Sequence, residues 1–438
     1  MPMHRHAMLD LALQKESTAP APTAPESLMH HSVLLAQSGS GKSFLLGRLL
    51  EELLLKTHAQ LIVLDPNSDF IRIAQPDDTP WRDVAIRKWF YKDDTEELFA
   101  SQWQGMPIIV ASNYNLRGAH PLLLDWGSLT AHQMASVMDV DISREADVFW
   151  TIFLGAQFAE DTWRDDNEAY YDFDYFREQA GRVAAFITTG EGAELFKGNR
   201  LAATLRSAMA VQPSLRLTAL VTRLAEYQIW RSKGDNHSDI RGFIRSRTPP
   251  RLLVVDLQSL QAEEEKTTVA EAVLRTLWEE RRTQQWEALR DIGQADDRVP
   301  AFVVIDEAHN LVPSSTTSPA SRALGDWILR IATEGRKYGI YLILATQRPR
   351  RISPDVLSEC DNLLLMRMTN SEDLRFVAQT LGISEMDRID LARQLGVGEL
   401  LLFGPIATDS EVVHVSPRRT VQGGRGIPKL GWIKISPS

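Results

Sequence analysis

Short, continuous apolar runs alternate along this chain with segments that repeat leucine or alanine at helical spacing. Ser32-Val33-Leu34-Leu35 reads as a strand, and Phe44 to Leu55 follows as a helix. A second strand, Leu61 to Leu64, ends at Asp65-Pro66, and Pro107 to Val110 reads as a third. From about Leu129 to Gly234 the pattern turns mainly helical. Strands resume at Leu252 to Asp256, and a long charged helix runs from Thr267 to about Arg290. Four more strands follow: Ala301 to Ile305, Ile340 to Ala345, Asn362 to Met366 and Glu399 to Phe403. Runs apolar at every position belong to strands covered on both faces, as in a mostly parallel sheet with crossover helices. The chain therefore divides into a flexible N-terminal tail (1–27), a first core part (28–128), a helical insertion (129–250), a second core part (251–416) and a C-terminal arm (417–438). There is no internal repeat.

Composition narrows the picture. Apolar residues make up 44% of 438, enough for a large core. No apolar stretch approaches the roughly 18 residues that would span a membrane. The single cysteine, Cys360, rules out an intrachain disulfide and a cysteine metal cluster, and points to the cytoplasm. His4, Arg5 and His6, then the Ala/Pro/Thr run from Thr18 to Pro25, lack the apolar centre of a signal peptide and read as unstructured. The net charge of −10 argues against bulk coating of nucleic acid, while leaving room for a narrow basic surface.

The chemistry concentrates in four places. Ala36-Gln37-Ser38-Gly39-Ser40-Gly41-Lys42-Ser43 lies between a strand and an apolar helix and matches a phosphate-binding loop, with Ala36 where the first glycine usually stands. Its glycines let backbone N–H groups wrap a phosphate, and the following helix adds its positive end. Lys42 reaches the β- and γ-phosphates, and the Ser43 hydroxyl ligates Mg²⁺. Ala301 to Ile305 ends in Asp306-Glu307, at the strand end where an open α/β sheet binds ligand. There Asp306 holds the magnesium shell, and Glu307 orients or deprotonates the attacking water. Together they specify a RecA-like ATPase core binding ATP and Mg²⁺. Gln347, ending Ile343-Leu344-Ala345-Thr346, reads as a γ-phosphate sensor or as a strand-terminal amide bonding loop backbone. Asp65 reads as a turn residue or a site residue.

Arg336, in Glu334-Gly335-Arg336-Lys337-Tyr338-Gly339, is the candidate cation given to a neighbouring subunit's nucleotide, with Arg330 second. The alternative is a helix-terminal cation complementing the dipole. Arg348, Arg350 and Arg351 crowd one loop, and Arg241, Arg245, Arg247 and Arg251 another. Each cluster reads as DNA-phosphate contacts or as solvated basic surface. The acidic segment Ala159 to Phe176, with Trp163, Tyr170, Tyr171 and Tyr175, is a helix packing its aromatics inward or a partner interface. His309 and His414 have no metal-ligand partners at useful spacing.

Ser-Gly-Ser-Gly-Lys-Ser at 38–43, Val-Ile-Asp-Glu-Ala-His-Asn at 304–310, Glu-Gly-Arg-Lys-Tyr-Gly at 334–339 and Ala-Thr-Gln-Arg-Pro at 345–349 occur in this order. With Ile352 to Asp373 they resemble the HerA branch of the HerA/FtsK superfamily, over roughly residues 28–416. The resemblance implies a homohexameric ring that hydrolyses ATP at subunit interfaces and translocates double-stranded DNA through its pore. It implies the nucleotide roles given above for Lys42, Ser43, Asp306, Glu307, Gln347 and Arg336. It also implies a partner, either a nuclease in DNA end processing or a nuclease or NAD-consuming effector in antiphage defence. Family members commonly carry a β-barrel ahead of the phosphate loop, whereas 35 residues precede Ala36 here. That departure favours a shortened ring serving a dedicated effector. A nucleotide-regulated scaffold with little DNA movement is the competing reading.

Overall fold

Alternate residues of each central strand face opposite layers, so a strand apolar throughout needs helices on both sides. In the computed structural model, Val33 and Leu35 pack on one face of the sheet and Leu34 on the other. The structure describes residues 8–14, 20–82, 95–126, 225–230, 239–246, 248–290, 298–315, 318–407 and 412–423, with a few isolated positions between 129 and 178. Most of the expected helical insertion, including its acidic aromatic segment, lies outside these residues.

Eleven strands form one sheet among the described residues: β1 (Leu9–Gln14), β2 (Pro20–Thr23), β3 (Ser32–Leu35), β4 (Gln60–Asp65), β5 (Ile108–Ala111), β6 (Leu252–Asp256), β7 (Ala301–Ile305), β8 (Ile340–Thr346), β9 (Asn362–Met366), β10 (Glu399–Phe403) and β11 (Val413–Val415). Their order is β2-β1-β11-β10-β9-β3-β8-β7-β4-β6-β5. The seven strands from β9 to β5 pair in parallel, and the other four pair antiparallel at one edge. The mostly parallel α/β sheet expected from the sequence is thus the observed one. Helix α1 (Lys42–Lys56) covers one face; α2 (Glu263–Arg290) and α3 (Pro319–Glu334) cover the other. Successive parallel strands return the chain to the same end, so the loops after β3, β4, β7 and β8 crowd together there.

The N-terminal tail is corrected. Residues 9–14 form a strand paired with β11, and Leu9, Leu11 and Leu13 are buried. The period-two spacing of those leucines, rather than overall composition, is the signal that governs this segment. Pro20–Thr23 adds the outer strand, where proline is tolerated because an edge needs fewer donors. The N-terminal strand also binds α1: Asp10 N–H donates to Glu52, and Arg48 donates to the Asp10 carbonyl and to Glu51 and Glu52. The described start of the C-terminal arm, residues 417–423, likewise packs inward, with Arg418 and Thr420 each 2% exposed.

Candidate functional site: a phosphate loop facing two carboxylates

The phosphate loop is fastened on both sides before it enters α1. Gln37 N–H donates to the Arg367 carbonyl at 2.9 Å, and Gly398 N–H donates to the Ser40 carbonyl at 3.0 Å. Gly41 has φ +109°, a left-handed conformation, and a Cβ there would meet Met366 at 3.3 Å. Glycine alone suits both demands. The turn aims the unpaired N–H groups of the first turn of α1 into a cleft of about 310 Å³. That cleft is lined by the loop together with Asp69, Glu307, Gln347 and Gln422.

Lys42 Nζ donates to Asp306 Oδ1 at 2.6 Å and to Glu307 Oε1. Burial disfavours the ammonium, but the two carboxylates outweigh it, so the Lys42 pKa is raised and its charge secure. Glu307 itself has φ +43°, rare for a residue with a side chain, and this bend turns its carboxylate toward the cleft. Such a conformation persists where surrounding structure enforces it, and it clusters at functional sites. His309 sits behind Glu307: its Nδ1 lies 2.9 Å from Thr346 Oγ1 and 3.3 Å from Glu307 Oε2. Burial, then the Arg348 and Lys42 charges, lowers its pKa to about 4. His309 is therefore neutral near pH 7 and touches Glu307 as a dipole rather than as an ion.

Asp69 is a site residue the sequence reading missed. Ser43 Oγ donates to Asp69 Oδ2 at 2.5 Å. Asp65 builds the turn that brings it there, accepting the N–H groups of Asn67, Asp69 and Phe70. Ser68, at φ +58°, ties the turn to β6 through Asp256. Desolvation raises the Asp65 pKa to about 8. Asp65 is wholly buried and engaged by backbone, so its role is to shape the turn. Asp69 is also raised, mainly by burial. The available signal was an Asp four residues beyond a strand of the parallel sheet, which spacing alone does not distinguish from any loop carboxylate.

The residues fit a magnesium nucleotide. Asp306 Oδ2 is buried and has no hydrogen-bond partner among the described residues. A buried carboxylate oxygen calls for a partner, and the outer shell of a bound Mg²⁺ supplies one. Ser43 adds a hydroxyl beside it, and Lys42 carries the cation that phosphate oxygens need.

The remaining sequence candidates separate. Gln347 lines the cleft. Arg336 precedes β8, at the opposite end of the parallel strands, pairing with Asp361, which His30 also contacts at 2.7 Å. β8 spans seven residues, so Arg336 lies about 20 Å from its own chain's cleft. Arg330 stacks on Trp278 and Trp327, 4.8 and 5.3 Å from their ring centres. Arg350 pairs with Glu372 and Asp373, while Arg348 and Arg351 share a small cleft with Arg350 and Asp373. The second arginine cluster disperses into structural roles. Arg241 is buried against Asp239, Arg245 pairs with Glu279, and Arg251 bonds the carbonyls at the end of α1. Among the described residues no three His, Cys, Asp or Glu side chains converge as a metal cluster, and no helix is long and apolar enough to cross a membrane.

Two family models match the chain. The central domain of helicase HerA matches residues 12–153, and zonular occludens toxin (Zot) matches residues 251–367. A probable DNA double-strand break repair helicase HerA of Methanocaldococcus jannaschii is 30% identical over 137 residues, 31% of this chain and 26% of that protein. The DNA double-strand break repair helicase HerA of Pyrococcus furiosus is 30% identical over 132 residues, 30% of this chain and 23% of that protein. The matched stretch thus spans about a quarter of these relatives. Among solved structures, VirB4 of Thermoanaerobacter pseudethanolicus superposes with a TM-score of 0.53 at 15% identity, covering 93% of this chain and 95% of that one. The plasmid coupling protein TrwB in complex with ADP and Mg²⁺ gives 0.52 at 12%, covering 97% and 92%. At those identities the likeness is one of fold.

Proposed function

We propose, from the premise that the core of this chain belongs to the HerA branch of the HerA/FtsK superfamily, that it is an ATP hydrolase that drives double-stranded DNA movement. The observation that carries this reading is the meeting of Lys42 with Asp306 and Glu307 beside Ser43, Asp69 and Gln347 in one cleft. Loop amides and Lys42 bind the β- and γ-phosphates of ATP. Ser43 and Asp306 would hold Mg²⁺, which would supply neutralising charge to the phosphates. Glu307 accepts a proton from the attacking water, its second oxygen buried and without a hydrogen-bond partner among the described residues. Gln347 donates to the water or to the γ-phosphate.

Arg336 is assigned to the neighbouring subunit's nucleotide. Its distance from its own cleft supports a role in trans, where a cation reaches the transition state of an adjacent site. The assembly is then a ring, taken as a homohexamer, working in the cytoplasm with a partner nuclease or NAD-consuming effector. Arg348 and Arg351 are the better placed DNA contacts, because Arg350 already neutralises two carboxylates.

ATP turnover with and without duplex DNA tests the function. The translocase predicts strong stimulation that falls steeply with salt, as phosphate contacts release counterions. Unstimulated turnover favours the nucleotide-regulated scaffold, and absence of turnover with intact ATP binding removes the hydrolase assignment.

A further inference from the structure

The segment 417–423 is held at every turn. Glu51 of α1 accepts the N–H groups of Arg419 at 2.9 Å and Thr420 at 2.8 Å, and the Thr420 hydroxyl at 2.7 Å. On its other side the segment runs against the loop after β4. Asp77 N–H donates to the Arg419 carbonyl, Val421 N–H to the Gln75 carbonyl, and Gly423 N–H to the Asp69 carbonyl at 3.0 Å. At Gly423 a Cβ would lie 2.2 Å from the Ser68 carbonyl, so only glycine seats the segment this closely.

Arg418 is driven between the two elements. Its guanidinium lies over Phe70, 5.6 Å from the ring centre, and donates to the carbonyls of Ser43 at 3.3 Å and Val421 at 3.2 Å. It fits because residue 47 has no side chain: a Cβ on Gly47 would sit 2.5 Å from the Arg418 guanidinium carbon. The same guanidinium therefore touches the backbone of the Mg²⁺-binding serine and the segment that places Gln422 in the cleft wall beside Phe44 and Asp69. A neutral amide at that wall offers two donors and an acceptor without repelling phosphate charge.

We propose that residues 417–423 form a built-in wall of the nucleotide site, in which Gln422 contacts the bound nucleotide and Arg418 is the positioning residue joining that wall to the turn at Ser43. The proposal rests on the cleft being the nucleotide site and adds a specificity element that no phosphate-loop motif contains.

Calorimetric affinity of the full chain for ADP and for a non-hydrolysable ATP analogue, both with Mg²⁺, tests it. Gln422→Ala removes one hydrogen-bonding group and weakens binding by about 3–10-fold. The melting temperature without nucleotide stays unchanged. Gly47→Ala displaces the guanidinium and weakens binding at least as much. A helix-interior alanine favours the helix over glycine, so a merely structural role for Arg418 predicts no affinity loss that leaves the melting temperature intact. Gly423→Ala gives the third, independent displacement. Lys42→Ala separates the two readings. If it abolishes binding while Gln422→Ala and Gly47→Ala bind like wild type, the wall is overturned and the nucleotide site stands. A wild-type chain that binds neither nucleotide overturns both.

Discussion

Ser43 and Asp69 meet at 2.5 Å, the serine hydroxyl donating to the aspartate, and this bond joins the first turn of α1 to the loop after β4. The serine assigned to Mg²⁺ is thereby held by a carboxylate from a loop that follows a different strand. Groups that orient a metal ligand typically cost 10–100-fold in metal affinity or activity when removed. Asp69→Ala should therefore raise the Mg²⁺ concentration needed for half-maximal ATP turnover by about that factor, while ATP binding measured without Mg²⁺ changes little. An unshifted Mg²⁺ titration would leave Asp69 as an ordinary loop residue.

Lys42→Ala should abolish tight ATP binding, since the phosphates lose their main side-chain cation. The structure adds a second consequence. Asp306 and Glu307 would be left facing each other without a cation, and breaking such a pair in a largely buried setting costs on the order of 3 kcal/mol at pH 7. Urea unfolding of the nucleotide-free variant at pH 7 checks this. A variant as stable as wild type at pH 7 would mean the pair contributes nothing to the resting fold.

Arg336→Ala should bind ATP normally and hydrolyse it poorly; fingers supplied in trans are worth about 10³–10⁵ in turnover. Glu307→Gln should also bind and hydrolyse at least about 10²-fold more slowly. Mixed rings of the two contain interfaces joining an intact Glu307 to an intact Arg336, and those should regain part of the activity. Native mass spectrometry confirms mixing. Arg336→Ala rings that hydrolyse ATP at the wild-type rate would return Arg336 to its pairing with Asp361 as its whole role.

The pH dependence of stability should carry a signature of His31. Its Nδ1 accepts the Leu342 N–H at 2.9 Å, so the ring must be neutral at that atom. Burial, then the Arg336 charge, lowers its pKa from 6.5 to about 4. The unfolded chain takes up the proton first, so stability present above pH 6.5 is lost as pH falls toward 4. His31 accounts for up to about 3 kcal/mol of that loss. His309, also lowered to about 4, adds to the same window. Urea midpoints of wild type and His31→Gln, compared at pH 7 and 4.5, isolate the His31 share. Parallel curves would show that His31 titrates normally.

Most of the parallel sheet was legible because its strands are apolar at every position, a pattern that follows from burial on both faces. That Lys42, Ser43, Asp306, Glu307 and Gln347 meet around one cleft was legible for a related reason, each sitting at a strand end or in a contiguous loop. The N-terminal strand was missed because an Ala/Pro/Thr-rich neighbourhood outweighed the alternation of Leu9, Leu11 and Leu13. The arginines of 241–251 looked like a basic patch in sequence, yet each described one has its own partner.

What this sequence determines by itself is the phosphate-loop pattern and the strands that display it, because such a loop and an apolar strand are specified by neighbours along the chain. Tertiary structure alone decided that Asp69 orients Ser43, that Arg336 faces away from its own cleft, and that Arg418 reaches the Ser43 carbonyl across 375 positions of sequence. Those contacts depend on which loops the sheet brings to one end and on the space left by Gly47 and Gly423. Packing creates that space, and no local pattern of residues encodes it.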